Sequence, residues 1–156
     1  LDTAQYTLDE MRAAVEAAAD WGTYVCAHVY TPTGILRCLE AGVRSIEHGQ
    51  LADEPAIRAM AEAGVWWSIQ PFLADEDANP KTDPRSRAKQ MQVADGTVRA
   101  FEMGRAEGVS MAFGTDVLFN PAGAASQGRQ LGKLTRFMPP LEALRMATGA
   151  AGDLLA

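Results

Sequence analysis

The chain has 156 residues, 47% of them hydrophobic and 22% charged, a formal net charge of -6 and a pI near 4.9. This is the composition of one globular domain able to bury a core without staples. The acidic balance excludes a phosphate-gripping nucleic-acid binder, and no apolar run reaches the ~18 residues of a membrane helix.

No basic-then-apolar leader opens the chain. Cys26 and Cys38 make no disulfide framework, which points to a reducing, cytoplasmic setting. The sequence opens "LDTAQYTLDE" without an initiator methionine and stops at "AGDLLA", so both ends read as cuts.

Along the chain one pattern recurs. Leu8, Met11, Val15 and Ala18 fall on one helical face between Thr7 and Trp21, with Thr7 as N-cap and Glu10 as its capping-box partner. Gly22 ends that helix and "TYVCAH" follows as a strand. The second unit is a helix over Thr33 to Ala41, then Gly42 and "VRSIEH". The third runs from an Asp53 cap through Ile57 and Met60 to Gly64 and "VWWSIQ". In the fourth, Met91, Ala94, Val98 and Phe101 mark a helix, Gly108 stops it and "VSMAFGTD" follows. Each glycine suits the left-handed residue that closes a helix. Strands alternating with helices predict an α/β fold with parallel pairing and right-handed crossovers. The polar, proline-bearing stretch from Gln70 to Gln90 reads as a long loop. The residues after Asp116 read as another, leading to a helix in "PPLEALRMATGAAGDLL" with Pro140 near its first turn.

The chemistry falls at fixed distances from the glycines. Gly22 plus six is His28, Gly42 plus six is His48 and Gly64 plus six is Gln70, while Gly108 plus eight is Asp116. With strands starting in register, these offsets share parity and send four polar side chains the same way. Their strand ends are carboxyl ends, where α/β folds carry their sites. Two imidazoles and a carboxylate form a donor set suited to Zn or a similar divalent ion. An aspartate beside such an ion can also shuttle a proton. Tyr30 and Gln70 are candidate substrate contacts. Glu47, of opposite parity, is expected to face the helices and meet a helix end, Arg37 or Arg44. Cys26 is expected in a deeper core layer, and Trp66 and Trp67 in the core.

The stretches "AHVYTPTGILRCLEAGVRSIEHG", "FGTD" and "PPLEALRMATGAAGDLL" resemble the amidohydrolase superfamily, nearest to its imidazolonepropionase-like and Xaa-Pro dipeptidase-like branch. The resemblance implies half of a TIM (β/α)8 barrel, four βα units corresponding to strands 5–8, occupying residues 1–156. It implies a metal-dependent hydrolase that cleaves amide, cyclic amide or peptide C–N bonds of a small substrate with a metal-activated water. In that scheme His28 and His48 bind the more exposed ion, and Asp116 binds the buried ion and shuttles the proton. The family's HxH pair and strand lysine are missing: no HxH occurs, and Lys81, Lys89 and Lys133 lie in loops or helices. The chain therefore carries part of a site and is expected to be a fragment, nearly inactive by itself.

A second reading is a catalytically inactive, self-associating half-barrel module with at most one loosely bound ion. Four strands leave two open edges and an uncovered inner face, expected as a large apolar patch that drives self-association or receives a missing N-terminal half. A flavodoxin-like binder is disfavoured, because no Gly-rich phosphate loop follows the first strand.

Overall fold

A computed structural model describes residues 3–76, 78–117 and 121–156. Helix α1 (Leu8–Asp20) is closed by the expected box: the Thr7 amide donates to Glu10 Oε2 at 2.7 Å and the Glu10 amide to Thr7 Oγ1 at 3.3 Å. Helices α2 (Pro32–Ala41) and α3 (Glu54–Ala63) start at Thr31 and Asp53, each with proline in its first turn. Proline is tolerated there because the missing N–H has no intrahelical acceptor to lose. Gly22, Gly42, Gly64 and Gly108 all have φ between 63° and 91°, the helix-closing geometry that the spacing predicts.

Strands β1 (Cys26–Val29), β2 (Ser45–His48), β3 (Trp66–Ile69) and β4 (Ser110–Phe113) pair in parallel in chain order. The face turned to the helices carries Ile46, Trp67 and Ile69, all fully buried, and a Cβ added at Gly104 of α4 would meet the Trp67 ring at 2.9 Å. With Ile35, Ile57, Met60 and Phe101 they form the core. Burial of each such side chain contributes about 1.5–3 kcal/mol.

Three expectations are corrected. Helix α4 (Pro84–Ala106) begins well before Met91, because Asp83 accepts the Ser86 amide at 2.8 Å and Pro84 opens the first turn. After the short helices α5 (Pro121–Ala124) and α6 (Gln127–Lys133), the single C-terminal helix is two, α7 (Pro140–Ala147) and α8 (Gly149–Leu155). Thr148, at φ -126° and ψ -79°, breaks the run.

The third concerns the inner face of the sheet. Strand pairing puts Cys26 and His28, Ser45 and Glu47, Trp66 and Ser68, and Ser110 and Ala112 there. Trp66 is its one large aromatic, half-buried, and Cys26 is exposed instead of lying in a core layer. Apart from Trp66, the side chains of this face are small, save His28 and Glu47 near the strand ends. The large exposed apolar side chains, among them Trp21, Leu141 and Leu155, lie outside the sheet. Among the described residues no helix is long and apolar enough to cross a membrane.

A two-imidazole site at the carboxyl ends

Strand register decides which side chains meet. Cys26 pairs with Ser45 and Ser45 with Trp66, so β1 to β3 do not start in step from their glycines. The register sets His28 beside Glu47 and leaves His48 with Val29 on the helix side of the sheet. Glu47 thus shares the face of His28, and its Oε1 accepts the Ser45 hydroxyl at 2.7 Å. The expectation that it faces helices and arginines fails because the strands are staggered by one residue.

His48 reaches the site by another route. Its φ is 79° and that of Gly49 is 72°, a left-handed pair that swings the imidazole over the strand end. His28 Nδ1 and His48 Nε2 then lie 2.8 Å apart, with ring centroids at 4.8 Å. His48 is clamped on every side. Tyr30 stacks on its ring at 4.5 Å and 8°. Trp67 Nε1 donates to its carbonyl at 2.6 Å, and its Nδ1 lies 2.8 Å from Gln70 Oε1. Gln70 is 3% exposed and tucked behind His48. Gln50, Trp67 and Gly49, none of them candidates from the sequence, complete the clamp. "EHGQ" held a signal for Gln50: a polar residue directly after the turn glycine.

The rings open onto a cavity of about 660 Å³ lined by His28, Tyr30, His48, Phe72, Asp116 and Lys133, among others. Asp116, at φ 50° beyond β4, is solvent-exposed. Burial pushes the His48 imidazole below its usual range, against the Gln70 hydrogen bond and the Asp116 charge, which pull it up. The Tyr30 phenol is pushed up to about 12, first by burial and then by Asp116. The chain has only three lysines, Lys81, Lys89 and Lys133, and all three line this cavity. Lys133 Nζ also holds Asp75 at 2.8 Å, which ties the loop after β3 to α6.

Two neutral imidazole nitrogens facing one point are a fitting donor pair for a borderline divalent ion. The two nitrogens now stand at hydrogen-bond distance, so the rings would have to part slightly to hold an ion between them. His28, exposed on the edge strand β1, has room to do so. Among the described residues no three His, Cys, Asp or Glu side chains gather closely enough to hold an ion. The chain supplies a pair of nitrogen donors and a carboxylate on the same cavity.

Comparison with known proteins agrees with this architecture. Ochratoxinase from Aspergillus niger is 33% identical over 153 residues, covering 95% of this chain and 31% of that protein. A solved prolidase complexed with N-methylphosphonate-L-proline is 35% identical with a TM-score of 0.88, over 99% of this chain and 38% of that one. A solved Xaa-Pro dipeptidase with methionine bound in its active site is 30% identical with a TM-score of 0.82, over 97% and 38%. The chain thus spans about a third of the length of these relatives, and its four parallel βα units match part of their barrels. The model of the amidohydrolase family matches residues 2–153, and the chain belongs to that family.

Proposed function

We propose that this chain is the part of a metal-dependent amidohydrolase that supplies two imidazole ligands, His28 and His48, and the proton shuttle, Asp116. Its reaction is hydrolysis of the amide C–N bond of a small peptide or N-acyl amino acid. The observation that carries this reading is the 2.8 Å approach of His28 Nδ1 to His48 Nε2 on the cavity that Asp116 lines. A divalent ion held there, zinc being best suited to the donors, supplies the Lewis acidity for activating water and polarising a carbonyl.

The chain's own groups do the rest. Asp116 accepts a proton from the attacking water and returns it to the leaving nitrogen. The Tyr30 phenol, kept protonated, donates a hydrogen bond to bound substrate. Lys81 and Lys89 add positive charge to the cavity of an acidic chain, which favours a substrate with a carboxylate, in line with the amino-acid ligands of the solved relatives. Gln70, buried behind His48, supports that ring and leaves substrate contact to Tyr30.

The test uses the protein that carries this chain, stripped with a chelator and reloaded with zinc, assayed on dipeptides and N-acyl amino acids. Zinc-dependent hydrolysis that falls to background in His28→Ala, His48→Ala and Asp116→Asn supports the reading. Full activity after chelation, or in His48→Ala, sinks it.

A further inference from the structure

The hydrogen bonds of two glutamines behind the imidazoles, Gln50 and Gln70, bear on which nitrogen of His48 carries a proton. Gln50 Nε2 donates to the Gln70 backbone carbonyl at 3.3 Å, which fixes the orientation of its own amide. The same Nε2 lies 3.4 Å from Gln70 Oε1. Gln70 Nε2 in turn donates to the Ser68 carbonyl at 3.3 Å. Turning the Gln70 amide over would aim N–H at N–H on one side and oxygen at oxygen on the other, so Oε1 faces His48.

A carbonyl-type oxygen has no proton to give. His48 Nδ1 must therefore carry the hydrogen in their 2.8 Å bond, which leaves Nε2 with a bare lone pair aimed at His28 Nδ1, 2.8 Å away. A lone pair there is what a cation needs, and the proton on His28 Nδ1 holds that place meanwhile. The arrangement has a cost. Gln50 is fully buried, and its Oε1 has no hydrogen-bond partner among the described residues. A buried acceptor left unpaired is unfavourable, and a leucine of similar length would avoid the penalty. A buried amide kept in that state fits a group retained for its N–H donors.

We propose that Gln70 is the positioning residue of this site, setting the tautomer and ring angle of His48, and that Gln50 holds Gln70 in place. Fixing a ligand imidazole through its far nitrogen is worth roughly 10–100-fold in metal affinity. The consequence for metal binding rests on the function proposed above, whereas the tautomer does not.

Two measurements separate these. In the metal-free protein at neutral to mildly alkaline pH, two-bond proton–nitrogen NMR correlations of the imidazoles should show His48 protonated at Nδ1 and bare at Nε2. In Gln70→Leu that preference should be lost, and Gln70→Glu, which restores an oxygen acceptor, should recover it. Gln50→Leu should keep the fold and weaken the preference. Zinc titration of the same proteins should show affinity lowered roughly 10–100-fold in Gln70→Leu and restored in Gln70→Glu. A wild-type His48 protonated at Nε2 overturns the proposal even if every variant fails to fold, as does a tautomer unmoved by Gln70→Leu. The expected tautomer in a protein whose zinc uptake is the same with and without His28 would uphold the positioning role and reject the metal reading.

Discussion

Gly49 shows how much of the site hangs on single positions. Its φ is 72°, and a Cβ there would lie 2.4 Å from Trp67 Nε1, the atom that donates to the His48 carbonyl. Gly49→Ala is thus expected to combine left-handed strain with a clash that pries Trp67 from His48. Together these should lower stability by about 1–3 kcal/mol, visible as a depressed thermal midpoint; a melt identical to wild type would show that the turn tolerates a side chain. Tyr30 gives a pH-dependent prediction. Its folded-state pKa, about 12, lies above the ordinary 10.0, through burial and then the Asp116 charge. The folded state therefore retains a proton that the unfolded chain loses, so the contribution is complete below pH 10 and fades as pH rises toward 12. Ultraviolet titration of tyrosinate should show a late phase near pH 12 that belongs to Tyr30, with Asp116→Asn bringing it earlier. A Tyr30→Phe variant with an unchanged titration curve would contradict this. At this scale the meeting of His28 and His48 was legible in the sequence, but not its route, and Asp116 reaches only the same cavity. Offset parity aimed His48 at the site directly, whereas the observed register leaves it on the helix side, and the left-handed turn that rescues it is a backbone feature that only "HG" hinted at.

Among the elements, α4 carries a close contact with consequences for the site. Gly96 lies in the middle of that helix, and an added Cβ would stand 2.2 Å from the carbonyl oxygen of Gln50. Alanine in place of glycine inside a helix normally gains up to about 1 kcal/mol. Here the helix would have to back away from the segment after β2, at a cost of about 1–3 kcal/mol for overpacking. Gly96→Ala should therefore melt below wild type, while Gly128→Ala on α6, with open space around it, should not. An increase in melting temperature at Gly96 would mean that the contact relaxes freely. The helix–glycine–strand rhythm was legible because each period ends in the same left-handed closure. Register was not, since it is set by how neighbouring strands pack and not by the distance from a glycine. The early start of α4 was hidden in a polar, proline-bearing stretch whose Asp83 cap looks like loop chemistry. The break at Thr148 was signalled only by Gly149 directly after it, a glycine that a helix interior tolerates at a cost.

At the scale of the molecule, the sheet shows its inner face to solvent through Cys26, while Cys38, on the buried face of α2, is 4% exposed. Burial also pushes the Cys38 thiol up, with Arg37 opposing it, so thiolate is scarce there. A thiol reagent should modify Cys26 of the 156-residue chain quickly and Cys38 only on unfolding. In a longer protein whose other strands complete the barrel, both should be slow. Equal rates for the two thiols in the isolated chain would refute the exposed inner face. The fold class could be foreseen because alternation of elements dictates it; the polar lining could not, since an interior position in a barrel need not be apolar. One further contact reaches across the whole length. The hydroxyl of Tyr24, just ahead of β1, donates to the carbonyl of Leu154 near the end of α8, and α8 packs on β4. Strand β1 is therefore latched by a residue 130 positions further along, and closing so long a span is entropically slow. Until α8 docks, the rim of that strand stays unfastened, a window in which chaperones would find it.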